Sequence, residues 1–514
     1  MDAFLSHMSI GFGAVLALEP VTLLGLTATL PMNLLYCFAG VVIGTLIGVL
    51  PGLGPVATIA MLLPATYALP PLGGLIMLAG IYYGAQYGGS TTAILVNLPG
   101  ETSSVVTCLD GYQMARRGRA GVALSTAALG SFFAGCIGTL LLAAFAVPLA
   151  ALAFKFGPAE YFSLMVLGLV GAVVLASGSL LKAIAMICLG LLGGLVGTDV
   201  TSGVSRYAYD IAQLSDGIGF VAVAMGVFGF AEVIKNLEQK GDREVFTNKV
   251  TSMLPSKEDF RRMVAPVLRG TMLGSTLGIL PGGGAALSAF GAYSLEKKVA
   301  KNRDEFGKGA IEGVAGPEAA NNAAAQTSFI PLLTLGIPPN AVMALMVGAM
   351  MIHNIQPGPQ VMTSNPTLFW GLVVSMWVGN LMLVVLNLPL IGIWVKLLKV
   401  PYRLLYPSIL VFCCIGVYTV NNSAFDVFMT AAFGLLGYVF NKLGCEGAPL
   451  LLGFVLGPMM EENFRRSLLL SQGDFSVFYT RPLSLGLLCA AVLLVLVVAL
   501  PAIQSKREEA FQED

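Results

Sequence analysis

Residues 48–55 read GVLPGLGP, and residues 278–285 read GILPGGGA. Proline and glycine cost a helix interior more than any other residues, yet both octapeptides stand inside strongly apolar stretches. Taken alone, GTLIGVLPG fits a close-packed helix face of the small-xxx-small kind. Its recurrence 230 positions later asks for more than packing.

Composition sets the frame. The 514 residues are 56% hydrophobic and only 11% charged, with a mean hydropathy of +0.83, whereas soluble domains carry about 25% charged residues. This is the profile of an all-α polytopic membrane protein. Apolar runs of spanning length occur from Asn33 to Leu50, Tyr161 to Ala176, Phe369 to Trp394 and Leu483 to Leu500, each near the roughly 20 residues that a crossing needs. About ten to twelve crossings are expected, with shorter re-entrant or broken helical hairpins between them. The N-terminus shows neither a basic n-region nor a small-residue cleavage site, so it does not read as a cleaved signal peptide. Net charge is zero, and no basic cluster interleaved with aromatics speaks for nucleic acid. The eight cysteines are scattered without metal-ligand or paired spacing, as small buried hydrophobes are.

If the break marks a repeat, other features should recur with it. YYGAQYGGSTTAILVNLPGE (82–101) follows the first octapeptide, and GVAGPEAANNAAAQTSFIPLLTLGIPPN (313–340) follows the second. Each is a stretch of small and polar residues leading into a short apolar run that ends in proline, at Pro99 and Pro338, so each half carries two breaks. A fainter echo pairs LVGTDVTSGVSR (195–206) with VLGPMMEENFRR (455–466). Loop charge supplies an independent test, because Lys and Arg mark cytoplasmic loops. In the first half ATYALPPL is uncharged and DGYQMARRGRAG carries Arg116, Arg117 and Arg119; in the second, EKKVAKNRDEFGK is basic and HNIQPGPQVMTSN has no Lys or Arg. Equivalent connectors therefore lie on opposite sides, the signature of two inverted-topology repeats. The expected layout is an N-terminal segment 1–32, a first repeat 33–234, a cytoplasmic linker 235–262, a second repeat 263–480, and a C-terminal helix and tail 481–514. The loop from Thr198 to Asp216 is expected on the periplasmic side, with Asp199 and Arg206 as an ion pair within it.

In hydrocarbon, irregular backbone survives only where protein or a water-filled cavity satisfies it. Half-helix N-termini offer N–H groups to anions, and freed carbonyls can hold a cation. The side chains beside the breaks are neutral hydrogen-bonding groups, with Glu101 and Glu318 the nearby charges and no Lys or Arg within either motif. A carboxylate held there needs amides, hydroxyls and helix ends, with a bound cation to offset its charge. Substrate contacts are accordingly expected from Gly52, Gly54, Ser90, Thr91, Asn97, Gly282, Gly283, Asn322 and Asn340, and Na⁺ contacts from Ser90, Thr92, Asn321 and Thr327. Interhelical hydrogen bonding is the competing reading for each polar residue, and Glu318 reads equally as a helix cap. No resident cofactor is expected.

The motifs GVLPGLGP, YYGAQYGGSTTAILVNLPGE with DGYQMARRGRAG, GILPGGGA, FGKGAIEGVAGPEAANNAAA, IPLLTLGIP and IQPGP resemble, in order, the large membrane subunit of the tripartite tricarboxylate transporters, from about residue 33 to residue 480. The resemblance implies a multi-pass subunit of the bacterial inner membrane. It would work with a small four-helix membrane subunit and a periplasmic solute-binding protein, taking up citrate-like or other small carboxylates by an elevator-like movement of helical hairpins. One position departs: the family usually has glycine and a small hydroxyl residue after LGIP, where this chain has Pro339 and Asn340. A stand-alone carrier without a binding protein is the alternative. A membrane-embedded enzyme lacks support, since neither H-E-x-x-H nor G-x-S-x-G occurs and the one S-x-x-K match, Ser179 to Lys182, stands alone. A channel calls for a continuous polar lining, whereas the polar residues here cluster at two points.

Overall fold

The computed structural model describes residues 2–23, 26–50, 54–175, 179–199, 202–238, 253–280, 284–397 and 402–499. The described residues are all-α apart from two small antiparallel hairpins, β1 (Glu19–Leu23) with β2 (Leu26–Leu30), and β3 (Gly197–Thr198) with β4 (Ser205–Arg206). The principal helices of the first half are α1 (Asp2–Leu16), α2 (Met32–Val49), α3 (Pro55–Thr66), α4 (Pro71–Val96), α5 (Ala120–Ala153), α6 (Pro158–Leu175) and α7 (Leu180–Gly194). Those of the second are α8 (Lys257–Ile279), α9 (Gly284–Val299), α10 (Glu312–Thr327), α11 (Phe329–Leu335), α12 (Ala341–Ile352), α13 (Pro366–Asn387), α14 (Ala424–Lys442), α15 (Gly447–Leu470) and α16 (Pro482–Ala499). It is a multi-pass membrane protein. Among the described residues, Met32–Val49, Ala115–Ala153, Pro366–Asn387 and Ala424–Lys442 are long and apolar enough to cross a bilayer, and six shorter apolar helices accompany them.

The four expected breaks are interruptions of helix. After α2 the chain turns extended at Leu50 (φ −85°, ψ 104°), and α3 restarts at Pro55, where a missing N–H costs nothing. After α8 it does the same at Leu280 (φ −77°, ψ 135°), and α9 starts at Gly284. The second break of each half uses the left-handed region instead, at Asn97 (φ 56°) after α4 and at Gly336 (φ 75°) after α11. Between α10 and α11 the helix also kinks at Ser328, where Pro331 has no N–H to offer the Thr327 carbonyl.

Two seams of small residues hold these helices together. Gly40, Gly44 and Gly48 of α2 press against the backbone of Met77, Ile81 and Ala85 of α4, so closely that a methyl group at any of the three would overlap a carbonyl oxygen. Gly270, Gly274 and Gly278 of α8 meet Gly316, Ala320 and Ala324 of α10 in the same way. In both pairs the numbers rise together, so the two helices run parallel. This is how helices associate where lipid removes the hydrophobic drive and backbone proximity supplies the attraction. A third seam joins α7 to α15 through Gly190 with Leu450 and Gly453 with Ile187.

Several expectations need correction. The apolar run from Phe369 to Trp394 is not one span: α13 ends at Asn387 and a short helix, Ile391–Leu397, follows the Leu388–Leu390 turn that contains Pro389. Asp199 does not pair with Arg206. Instead Arg206 bonds Glu461 at 2.8 Å and Arg465 bonds Asp199 at 2.9 Å, so both charges of the β3–β4 loop clamp it to α15, while Ser202 bonds Asp199 within the loop at 2.9 Å. The echo between 195–206 and 455–466 is likewise not a likeness of form, since one segment is this hairpin and the other lies within a helix. Of the eight cysteines only Cys37 and Cys413 are buried, while Cys188 and Cys489 are exposed on apolar helices. The connector DGYQMARRGRAG, read as a loop, is largely wide-turned helix broken at Gly118 (φ 78°).

Candidate functional site

The second α-helices after the two octapeptides, α4 in the first half and α10 in the second, meet through their polar turns. Ser90 donates to Glu318 Oε2 at 2.6 Å, Thr107 donates to Glu318 Oε1, and Asn321 Nδ2 lies 3.4 Å from Oε2. One turn along, Asn322 Nδ2 donates to Ser131 Oγ of α5 at 2.8 Å, to the Glu318 carbonyl at 3.1 Å and to Asn321 Oδ1 at 2.5 Å. On the other side Ser103 donates to Gln86 Oε1 at 2.8 Å and contacts Glu101, and Asn321 Nδ2 reaches Ser103 at 3.5 Å. Glu318, Asn321 and Asn322 are fully buried, as are Ser104, Thr107, Gln326 and Thr327. Groups from residues 86–107, from α5 and from α10 thus form one buried polar cluster.

Local sequence explains the placement. Residues 86 and 90 are an i, i+4 pair on α4 with 91 beside them, and 318, 321 and 322 stand in the i, i+3 and i, i+4 relation of one face of α10. Gly88 and Gly89 let that face come close to its neighbours: Gly88 lies against Thr45 and Val49 of α2, and Gly89 against Glu101. Beside the cluster, Tyr87, Ser90, Thr91, Leu124, Ala127, Ala128, Ser131 and Asn387 enclose a cavity of about 10 Å³, space for one water-sized occupant. The Tyr87 hydroxyl, Asn387 Oδ1 and Asn322 Oδ1 have no hydrogen-bond partner although all three side chains are buried.

The expected site residues fall into three groups. Ser90, Asn321 and Asn322 belong to the cluster, and Thr91 lines the cavity while donating to the Tyr87 carbonyl at 3.2 Å. Thr92, Thr327 and Asn340 stand at the breaks themselves. Thr92 donates to the Val49 carbonyl at 2.9 Å, Thr327 to the Ala323 carbonyl at 3.0 Å beside Gly278, and Asn340 caps α12 by accepting from Met343 N at 3.0 Å. Asn340 also faces Gly284, so the two breaks of the second half adjoin, as Gly48 and Gly100 make those of the first half adjoin. Asn97 and Gly54 are apart from the cluster: Asn97 is exposed and serves its left-handed turn, and a methyl group at Gly54 would touch nothing. Gly52, Gly282 and Gly283 lie outside the described residues.

Sequence reasoning passed over Thr107, Ser131, Tyr87 and Asn387. Their signal was faint, because a lone hydroxyl or amide in a long apolar helix names no partner. Glu318 it read as a coupling residue or, at least as readily, as a helix cap, and the residue lies six residues into α10, past any capping position. The arrangement offers hydroxyl and amide groups to an anion and a set of oxygens to a hard cation.

Residues 34–452 match the model of the tripartite tricarboxylate transporter TctA family. The chain belongs to this family. Two Agrobacterium vitis proteins are similar to this TctA-family chain along their whole lengths. An uncharacterized 52.8 kDa protein in the TAR-I ttuC' 3' region is 58% identical over 514 residues, all of both chains. An uncharacterized protein in the TAR-II ttuC' 3' region is 60% identical over 241 residues, 47% of this chain and 100% of its own length. No solved structure matches. Membership in a tripartite transporter family implies further subunits alongside this one.

Proposed function

We propose that this TctA-family chain is the large membrane subunit of a binding-protein-dependent secondary transporter of the bacterial inner membrane, taking up small carboxylates together with Na⁺. A periplasmic solute-binding protein delivers the substrate, and a small four-helix membrane subunit completes the assembly. The observation that carries the reading is the buried meeting of α4 and α10 at neutral donors, where Ser90 bonds Glu318 and Asn322 bonds Ser131, with no Lys or Arg bonded to the cluster among the described residues. A site of that kind holds a carboxylate by amides, hydroxyls and helix ends, and needs a cation to balance it.

Two inverted repeats organise the site in this reading. The support is directional. Asn33, at the start of α2, lies beside Gly73 next to the uncharged connector, whereas Asp259, at the start of α8, pairs with Arg119 among the basic segments. The matched glycine seams of α2 with α4 and α8 with α10 then run in opposite senses through the bilayer. Elevator-like movement would carry the hairpin helices and the cluster together past the rest of the molecule, exchanging the side on which the site opens.

The test is reconstitution with the partner subunit and binding protein, and uptake of a panel of labelled tri-, di- and monocarboxylates under an inward Na⁺ gradient. Accumulation that disappears when choline replaces Na⁺, or when the binding protein is left out, is the expected result. Equal uptake without the binding protein would assign a stand-alone carrier, and no accumulation of any carboxylate would end the proposal.

A further inference from the structure

Among the described residues, five other buried acids are held by arginine or by backbone N–H groups. Glu160 bonds Arg481 at 2.7 Å, Glu296 bonds Arg269 at 2.6 Å, Asp199 bonds Arg465 at 2.9 Å, and Asp259 bonds Arg119. Asp110 accepts from Gly309 N and Ala310 N, both at 2.8 Å, and from the Tyr293 hydroxyl at 3.0 Å. Glu101, at the start of the short helix from Thr102, accepts from the Ser103 hydroxyl and lies beside Gly89 at the edge of the cluster. Among the described residues, neither arginine nor backbone N–H bonds the Glu318 carboxylate. It is 0% exposed, and its bonded neighbours are the neutral side chains of Ser90, Thr107 and Asn321.

An ionised carboxylate at that depth without a cation costs several kcal/mol, and such a group within a membrane span marks a functional position. The donor arithmetic points the same way. Ser90 has one hydroxyl proton, yet its oxygen lies 2.9 Å from the Gln86 carbonyl and 2.6 Å from Glu318 Oε2, two acceptors. A cation held between the Glu318 carboxylate and Ser90 Oγ leaves that proton to the Gln86 carbonyl. A separate observation supplies a further ligand: Asn322 Oδ1, fully buried one turn along α10, has no partner. The cavity lined by Ser90 and Ser131 adjoins the same hydroxyls.

We propose that Glu318 is the carboxylate that holds the coupling cation, with oxygens of Ser90, Thr107 and Asn322 as its companion ligands. The assignment rests on the reading of the chain as a cation-coupled carrier and adds the charged residue that reading lacked. The donor set is all oxygen, which selects a hard cation. Among these ligands Glu318 is the one carboxylate, since Glu101 is reached only through Ser103, and one carboxylate balances one positive charge, so the cation is monovalent, of the Na⁺ class; Ca²⁺ sites gather several carboxylates and Mg²⁺ sites near-ideal octahedra.

The measurement is ²²Na⁺ binding to the purified protein, together with its thermal stabilisation by NaCl against choline chloride, for wild type, Glu318→Gln and Glu318→Asp. Glu318→Gln is expected to lose the Na⁺-specific stabilisation and to weaken Na⁺ binding about tenfold or more, a factor equivalent to 1.4 kcal/mol. If it is not recovered from membranes, Glu318→Asp decides: withdrawing the carboxylate by one methylene should weaken binding severalfold, and wild-type affinity overturns the proposal. Unchanged Na⁺ affinity in Glu318→Gln, with Na⁺-driven uptake intact in wild type, overturns this assignment alone. Wild-type uptake that ignores every cation overturns the functional reading as well. Equal stabilisation of wild type by choline, K⁺ and Na⁺ identifies a salt effect and also counts against the site.

Discussion

Asn322 places one amide nitrogen within reach of three acceptors, Ser131 Oγ, the Glu318 carbonyl and Asn321 Oδ1, while its own carbonyl oxygen has no partner. An amide fixed this firmly on one side is aimed on the other. Replacing it with alanine removes the aimed oxygen and strands Asn321 Oδ1, a buried acceptor whose desolvation costs about 1–3 kcal/mol. The seam from Gly270 to Gly278 still binds α10 to α8, so the variant should fold with reduced thermal stability. Asn322→Ala is therefore expected to raise the Na⁺ concentration for half-maximal uptake, measured per molecule of reconstituted transporter. A wild-type Na⁺ dependence at normal protein level would remove Asn322 from the cation site.

At the scale of elements, what the sequence made legible is what breaks a helix. Pro55 at the first turn of α3 and the left-handed Gly336 after α11 act through their own backbones, and their effect does not depend on a distant partner. Partnership was not legible. Asp199 and Arg206 are seven residues apart and look like a pair, yet each finds its counterion on α15, more than 250 residues on. Glu318 was equally ambiguous, because only the packing of α4 and of the 105–107 turn against α10 puts Ser90 and Thr107 in front of it. The glycine seams make a sharper claim about elements. Gly274 faces the Ala320 backbone with no space for a side chain, and overpacking of this kind typically costs about 1–3 kcal/mol. Gly274→Val should therefore lower membrane expression and melting temperature together, with uptake per surviving molecule falling less than total uptake. Full stability of that variant would show that α8 and α10 do not cross at their glycines.

The described connectors of the two halves meet on two surfaces of contact, one basic and one without Lys or Arg. On one, Arg119 pairs with Asp259, Arg262 with Glu305 and Glu312, and Asp110 holds the 309–310 turn, so the basic segments of both halves lie side by side. Away from them, Gly74 adjoins Thr66 and His353, and Gly336 lies against Pro357, which brings together the connectors that lack basic residues. Loop composition alone had suggested this division, since the positive-inside rule reads charge without needing the fold. It could not show that loops some 200 residues apart in sequence meet on the same face. Membrane orientation then follows as one proposition for four loops, and it can fail at any of them. In a background without native cysteines, Tyr67→Cys and Gln360→Cys should react with an impermeant maleimide added to intact cells, while Arg117→Cys and Lys301→Cys should react only after permeabilisation; all four positions are exposed. Because Tyr67 and Arg117 flank the hairpin helices of one half, and Lys301 and Gln360 those of the other, reaction of both members of either pair from outside would place equivalent connectors on the same side. The two halves would then not be inverted, and an elevator built on their symmetry would lose its basis.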